Sequence, residues 1–245
     1  MEMTDSRRLS PEELASYKEN GFVVVPGLFP LGELIEVDRE LDRLVSEAEE
    51  VGETGIGQNG SHRNKGWLLQ LGLRSEITQR FAKDERVIDL IEDIVKPGIA
   101  IYSAKLTAKM PNSTDICHWH QDNAYYNTHV SSETRMSTWI PLTDVNEENG
   151  CLWVVPGSHK NGVQEHGQFG GQCPKSIGPA DMEAEGAIPC QMEAGSILLF
   201  SSDLWHHSEG NGTDQVRRAF IVSYQEATVP RGNGDQWKIL RSSDN

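Results

Sequence analysis

Short β-prone segments separated by turn residues fill the second half of this 245-residue chain. After Pro97-Gly98, apolar runs such as "MSTWIPL", "SILLF" and "RAFIVSY" alternate with turn-forming stretches such as "NEENG" and "PGSH". Many short strands with this spacing are typical of two packed antiparallel sheets. The pattern therefore predicts a mainly β fold with a sandwich or jelly-roll core.

Helix signals precede this β-prone region. Ser10 is a typical N-cap residue, Pro11 suits the first helical position, and Glu13 completes a capping box. This helix should end at Asn20-Gly21, because glycine readily adopts the left-handed conformation that follows many helices. The β-branched run "FVVV" at 22–25 then predicts a strand.

Two further helices are predicted by apolar residues at helical spacing, over residues 31–51 and 84–95. No internal repeat, long linker or composition break divides the chain, so we expect a single domain spanning residues 1–245. Its expected parts are a helical N-terminal part (1–97), a jelly-roll core (98–228) and a C-terminal tail (229–245).

The charge balance is acidic, with 37 Asp and Glu against 22 Lys and Arg and a formal net charge of −15. Nucleic acid and anionic membranes require positive charge at the contact, so neither is a predicted partner. The polar start lacks an apolar signal-peptide core, and no run of about 18 apolar residues could span a bilayer. We expect a cytoplasmic protein that acts on a small molecule; its oligomeric state is not predicted.

The cysteines are few and are not arranged as a local motif. None of the four forms a C-x-x-C pair. A chain with this usage is expected to keep its cysteines as reduced thiols in the cytoplasm. The four are Cys117, Cys151, Cys173 and Cys190.

Two long polar loops are predicted, at 54–66 and 159–187. Loops of this length are usually lids or binding loops, or else disordered, and the sequence leaves both interpretations open. Within the first, "GIGQNG" at 55–60 matches the pattern G-x-G-x-x-G. A dinucleotide site would require a strand before the pattern and a helix after it. Here a predicted helix precedes and a basic loop follows, so we interpret it as a flexible loop.

The stretch "HWHQD" carries the strongest chemical signal. Its His120 and Asp122 are two residues apart, and on a strand such residues point to the same face. One more histidine would complete two histidines and one carboxylate, a facial triad that suits non-haem Fe(II). A His118 and His120 pair is the alternative, and it would suit zinc or copper with further ligands.

The third ligand is predicted in "LWHHSEGN", which follows the apolar run "SILLF". Arg217 lies eleven residues after His206, at the start of the next strand. A buried arginine near such a metal suits a carboxylate, because its planar fork makes two parallel hydrogen bonds. His207 with Arg218 has the same spacing, so spacing alone does not choose between the two pairs.

Several of these motifs together carry a family resemblance. "WHQD", "NGCLWVVPGSH" at 149–159 and "HHSEGN" followed by "RRA" resemble the phytanoyl-CoA dioxygenase family, and so does the opening "YKENGFVVVPGLF". The resemblance extends from about Leu9 to Gln225. It implies a double-stranded β-helix (cupin-like jelly-roll) core and an enzyme that uses Fe(II), 2-oxoglutarate and O2.

The resemblance also implies roles for individual residues. The metal ligands, which are also the catalytic residues, would be His120, Asp122 and His206. Arg217 and Ser208 would bind the distal carboxylate of 2-oxoglutarate. The family's usual glycine after the second histidine is replaced by His207, and the resemblance favours His206 as the ligand. Further cosubstrate contacts are expected from Trp139, Tyr125, Thr107 and Lys105.

The implied activity is oxidation of a small metabolite at an unactivated C–H bond, with release of succinate and CO2. Asp122 favours hydroxylation over halogenation, because halogenases of this family have alanine or glycine in its place. Candidate substrate contacts are Asn123, Tyr126 and His159. Two alternatives stay open: a cupin-like isomerase or epimerase that uses another metal, and a non-catalytic 2-oxoglutarate sensor.

Overall fold

A computed structural model describes most of the chain. The described residues are 7–50, 67–69, 74–126, 132, 134–169, 173, 175–179, 182–228 and 238–242. Loop 54–66, including the "GIGQNG" stretch, lies outside them. No helix within the described part of the chain is long and apolar enough to cross a membrane.

The first helix, α1 (Pro11–Asn20), confirms the prediction from its caps. The Ser10 side chain accepts a hydrogen bond from the Glu13 amide, and the Glu13 carboxylate accepts one from the Ser10 amide. Gly21 ends the helix with a φ of 83°. Strand β1 (Phe22–Val25) follows as predicted.

Three more helices lie in the described residues of the N-terminal part. Helix α2 (Leu31–Glu50) matches its predicted span. The helix predicted over 84–95 is shorter, α4 (Glu85–Ile91), because the chain turns over 92–95 ahead of Pro97. Helix α3 (Glu76–Ala82) was not predicted, although Ser75 and Thr78 form a capping box at its start.

The strands form two antiparallel sheets, and the predicted two-sheet jelly-roll fold is confirmed. The larger sheet has the order β1-β8-β5-β10-β3-β11, and β2 also pairs with β3; the smaller has the order β4-β9-β6-β7. The larger sheet contains, after β1, the strands β2 (Trp67–Leu69), β3 (Ile99–Lys109), β5 (Met136–Pro141), β8 (Ile197–Ser201), β10 (Arg217–Gln225) and β11 (Lys238–Arg241). The smaller sheet contains β4 (Cys117–His120), β6 (Leu152–Val154), β7 (Ile188–Cys190) and β9 (His206–Ser208).

The larger sheet draws strands from segments that were not predicted to be part of the core. Strands β1 and β2 come from the N-terminal part, and β11 lies in the expected C-terminal tail. The boundaries expected at 97 and 228 therefore do not separate the sheet from its flanking segments.

Strand β10 lies between two apolar layers. Phe220 and Val222 belong to the core that packs under the helices, whereas Ala219 and Ile221 belong to the core between the sheets. Successive side chains on a strand point to opposite faces, so Arg217 shares the inter-sheet face with Ala219 and Ile221. This alternation directs Arg217 into the space between the sheets.

Gly195 is predicted to be less tolerant of substitution than Gly27. Both have positive φ, 84° and 63°, but a Cβ on Gly195 would lie 2.2 Å from the Phe29 carbonyl oxygen, whereas one on Gly27 meets no atom within 4 Å. Gly27→Ala should therefore cost about 1–2 kcal/mol for the left-handed backbone alone. Gly195→Ala should cost more, measured as the free energy of unfolding in denaturant; equal losses would contradict this prediction.

Candidate metal centre

Three potential ligand side chains meet between the two sheets. His120 ends β4, Asp122 follows it, and His206 begins β9. One ligand atom from each lies within 4.8 Å of the other two, and all three residues are buried. Strands β4 and β9 pair with His120 opposite His206, so the two imidazoles are brought together by strand register.

Asp122 reaches the cluster by a turn rather than along a strand. Strand β4 ends at His120, and Asp122 begins a one-turn 3-10 helix, Asp122–Ala124. The amide of Asn123 in this turn donates to the Ser202 carbonyl at 3.0 Å. The predicted convergence with His120 is therefore observed, but the strand periodicity that was used to predict it is wrong at this residue.

Both imidazoles present the same nitrogen to the cluster. His120 Nδ1 lies 2.8 Å from its own strand's His118 carbonyl oxygen, and His206 Nδ1 lies 2.9 Å from the Leu204 carbonyl oxygen. A carbonyl only accepts, so each Nδ1 donates and each Nε2 keeps its lone pair. Burial lowers the pKa of both histidines, which favours the neutral form that a metal requires.

Asp122 is ionised at neutral pH. Burial alone would raise its pKa, but the positive charge of Lys105, together with the hydrogen bond from Ser137, holds the pKa below its usual range. Lys105 Nζ lies 3.7 Å from Asp122 Oδ1, and His206 Nε2 lies 4.0 Å from the same oxygen. The carboxylate thus carries a negative charge toward the two histidines.

The structure distinguishes the pair His206 and Arg217 from the pair His207 and Arg218, which have the same spacing in the sequence. His207 faces away from the cluster, with its ring centroid 4.1 Å from that of Trp119. Arg218 points to α2, where it forms ion pairs with Asp38 and Asp42. His206 and Arg217 are consequently the pair that faces the space between the sheets.

A His118 and His120 metal site is not observed. His118 is buried, but it belongs to no potential ligand cluster among the described residues.

A cavity beside the ligand cluster collects the predicted cosubstrate residues. Arg217 is buried there, donates to Thr107 Oγ1 at 3.3 Å, and lies 5.5 Å from the centroid of the Trp139 ring. Burial lowers the pKa of Arg217 to about 10, so the guanidinium is charged at neutral pH. The predicted residues that line this cavity are Lys105, Thr107, Trp139, Ser208 and Arg217.

Tyr125, the other predicted cosubstrate residue, has a different position. Its ring meets that of His120 edge to face, with centroids 5.6 Å apart. Its hydroxyl donates to the Lys175 carbonyl and accepts from the Lys175 amide at 3.1 Å. Tyr125 thus links the segment that follows β4 to loop 159–187. It is not among the residues that line the cavity.

The candidate substrate residues form contacts outside the cavity. The side-chain amide of Asn123 donates a hydrogen bond to the Asp203 carboxylate and accepts one from the Arg135 guanidinium. Tyr126 is buried, and its hydroxyl forms a hydrogen bond with the Ser223 hydroxyl. His159 lies against Gly21 at the end of α1, with Nε2 3.2 Å from the Lys18 carbonyl oxygen. None of the three lines the cavity.

Lys109 is a cavity residue that sequence analysis missed. It is 1% exposed, and its Nζ donates to the Asp115 carbonyl at 2.6 Å and to the Ser208 carbonyl at 3.5 Å. Burial, followed by Arg217, lowers its pKa to about 7. The available signal was strand periodicity, since Lys109 lies two and four residues from Thr107 and Lys105 on β3.

Part of loop 159–187 packs against strand β4. The Ile177 amide donates to the Trp119 carbonyl at 2.7 Å, and the Trp119 indole donates to the Met182 carbonyl at 3.1 Å. The described residues of this loop at 177 and 182 are thus held to β4 by hydrogen bonds.

Two of the four cysteines form a disulfide, so the expectation of four reduced thiols is wrong. Cys117 on β4 and Cys173 in the loop are bonded, with Cα atoms 4.9 Å apart, while Cys151 and Cys190 are free and buried. The partners are 56 residues apart in sequence, and no local spacing pattern signals such a pair. Cys117 also lines the cavity, with Sγ 3.5 Å from His120 Nδ1.

The two-sheet fold, the His-Asp-His cluster and the cation-lined cavity define the class of non-haem iron and 2-oxoglutarate-dependent oxygenases. The profile of the phytanoyl-CoA dioxygenase (PhyH) family matches residues 17–219, and the chain belongs to that family. Iron and 2-oxoglutarate are accordingly its cofactor and cosubstrate.

Individual relatives are distant. A phytanoyl-CoA dioxygenase of Arabidopsis thaliana is 34% identical over 119 residues, which cover 48% of this chain and 41% of that protein. An ectoine dioxygenase of Bordetella parapertussis is 24% identical over 237 residues, which cover 88% of this chain and 75% of the relative. The structure of EctD from S. alaskensis with 2-oxoglutarate and 5-hydroxyectoine shares the fold, with a TM-score of 0.73 at 21% identity over 93% of this chain and 79% of EctD.

The disulfide predicts a specific labelling pattern. Alkylation of the denatured protein without reductant should modify only Cys151 and Cys190, because the thiols of Cys117 and Cys173 are bonded to each other. Prior reduction should make all four cysteines reactive. Peptide mass spectrometry identifies the labelled residues, and four labels without reductant would contradict the pairing.

Proposed function

We propose that this chain hydroxylates an unactivated C–H bond of a small metabolite while 2-oxoglutarate is converted to succinate and CO2. The supporting observation is that the ligand cluster and a buried arginine share one cavity. His120, Asp122 and His206 line the same space as Arg217. A metal bound by the three side chains would therefore have a cation nearby for the far carboxylate of a dicarboxylic acid.

The residues present fit both groups. Two neutral imidazoles and a carboxylate, on one side of the metal, suit Fe(II) with positions left for other ligands. Arg217 Nε is buried and has no hydrogen-bond partner among the residues that the structure describes. A buried donor in that state is costly unless a ligand accepts from it, and a carboxylate is the strongest such acceptor.

The side chains of the site would bind the metal and 2-oxoglutarate, orient them and exclude water. When bound, iron and 2-oxoglutarate supply the oxidising chemistry. Nε2 of His120 and of His206, with one oxygen of Asp122, would hold the metal. Arg217 would bind the distal carboxylate with help from Thr107 and Ser208. The buried surroundings strengthen these charge interactions relative to water.

Asp122 supports hydroxylation over halogenation, because a carboxylate at this position occupies the place a halide would need. A small-molecule substrate is supported by the cavity, whose lining residues are buried, and by the named activity of the ectoine dioxygenase relative. The direct test is succinate formation with Fe(II), 2-oxoglutarate, O2 and a panel of small metabolites. An isomerase would convert a substrate without succinate, and a sensor would bind 2-oxoglutarate without any turnover.

Arg217→Ala should weaken 2-oxoglutarate binding by about 10- to 100-fold, because charge-assisted hydrogen bonds worth about 1.5–3 kcal/mol are lost. Arg218→Ala is the matched control, since Arg218 pairs with Asp38 and Asp42 outside the cavity. Calorimetric titration of the metal-loaded protein measures the affinity. A larger effect of Arg218→Ala would contradict the assignment.

Asp122→Ala should lower Fe(II) affinity and abolish succinate formation, because only two neutral ligands remain for the metal. Asp38→Ala, a change of the same type on α2, should leave both unchanged. Anaerobic Fe(II) titration and a succinate assay measure the two effects. Full metal affinity in Asp122→Ala would exclude Asp122 as a ligand.

A further inference from the structure

A chain of buried hydroxyl groups leads away from Asp122 into the larger sheet. Ser137 Oγ donates to Asp122 Oδ2 at 2.8 Å. Ser137 Oγ lies 2.9 Å from Ser223 Oγ, which lies 2.8 Å from the Tyr126 hydroxyl. Ser137 and Ser223 are fully buried, and Tyr126 is 8% exposed. The chain therefore connects a proposed metal ligand to three hydroxyl groups that are shielded from water.

The carboxylate sets the direction of every hydrogen bond in the chain. An ionised Asp122 only accepts, so the single proton of Ser137 is used on Oδ2. Ser137 must then accept from Ser223, and Ser223 must accept from Tyr126 for the same reason. All three O–H dipoles point toward the carboxylate, and hydrogen bonds aligned in this way strengthen one another.

Strand register and a short turn build this arrangement. Ser137 on β5 and Ser223 on β10 are directly paired across the larger sheet. Tyr126 follows Asp122 by four residues, and its amide donates to the Asn123 carbonyl at 3.3 Å as the chain turns back. The chain thus ties the Asp122 turn to the larger sheet, whereas His120 and His206 belong to the smaller one.

The Tyr126 ring is held so that its hydroxyl stays on Ser223. Its ring centroid lies 4.3 Å from that of Tyr102. The Arg135 guanidinium carbon lies 5.2 Å from the same Tyr126 centroid. Arg135 is itself held by Gln225, at 2.9 and 3.1 Å. These contacts hold Tyr126 in the protein interior, and it is not among the residues that line the cavity.

We propose that Ser137, Ser223 and Tyr126 are positioning residues that hold Asp122 Oδ2 and present Oδ1 to the metal. The inference rests on the proposed function, because it assigns the geometry of one ligand in that site. Oδ1 is the oxygen that faces His206 Nε2 at 4.0 Å and Lys105 at 3.7 Å, whereas Oδ2 faces the sheet. Binding through one oxygen keeps the remaining metal positions available for the cosubstrate and O2.

Substitution of the three hydroxyls tests the proposal. Ser137→Ala should lower metal affinity by about 10- to 100-fold, the usual effect of losing a partner that orients a ligand. Ser223→Ala and Tyr126→Phe should have progressively smaller effects, since they act through Ser137. Ser137→Thr keeps a hydroxyl and should retain most of the affinity.

Ser202→Ala is the matched control. Ser202 is fully buried, like Ser137, but its hydroxyl has no hydrogen-bond partner among the described residues. Its side chain can therefore be shortened without removing a hydrogen bond. Affinities are measured by anaerobic Fe(II) titration, and the visible absorption of the Co(II)-loaded proteins reports whether the ligand geometry has changed.

Each outcome decides a separate question. If the unaltered protein binds neither metal, the proposed function and this inference both fail. If it binds metal but Ser137→Ala matches Ser202→Ala in affinity and in the Co(II) spectrum, the inference alone is overturned. If Ser137→Ala does not fold, Ser223→Ala and Tyr126→Phe decide: unchanged affinity and spectrum in both would overturn the inference.

Discussion

The antiparallel pairing of β4 with β9 is the contact on which the whole candidate site depends. It sets His120 opposite His206, and their ring centroids lie 4.1 Å apart. Side chains alternate along a strand, so a shift of one residue would replace His206 with His207, whose ring now contacts Trp119 outside the cavity. Strand β6 reinforces the register from the other side of β9, where Val154 pairs with His206. Ligand identity therefore follows from backbone pairing.

Buried charge is the second constraint on this region. Three basic side chains, those of Lys105, Lys109 and Arg217, line the cavity, with Asp122 as the one carboxylate among its lining residues. Moving such groups out of water costs free energy, which backbone carbonyls and the Thr107 hydroxyl offset only in part. The pKa values of Lys109, about 7, and Arg217, about 10, reflect this burial. An interior with this excess of positive charge suits a dicarboxylate.

Short-range sequence patterns predicted much of the fold. Features of the site that they missed depend on contacts between residues that are far apart in the sequence. The caps of α1, the span of α2 and the strands β3 and β10 follow from neighbouring residues. Within the site, sequence spacing alone did not separate His206 from His207, whereas strand pairing does, and the disulfide of Cys117 needed a partner 56 residues away. Ser137 has no sequence signal as a partner of Asp122, because a serine in an apolar strand usually indicates only tolerance of a small side chain.

Strand β10 has no face in contact with solvent along Ala219–Gln225. One set of its side chains supports the helical layer and the other bounds the reaction space, so any residue exchanged there disturbs two packing arrangements at once. Evolution toward a new substrate is consequently easier in the segments that join the strands than in the strands themselves.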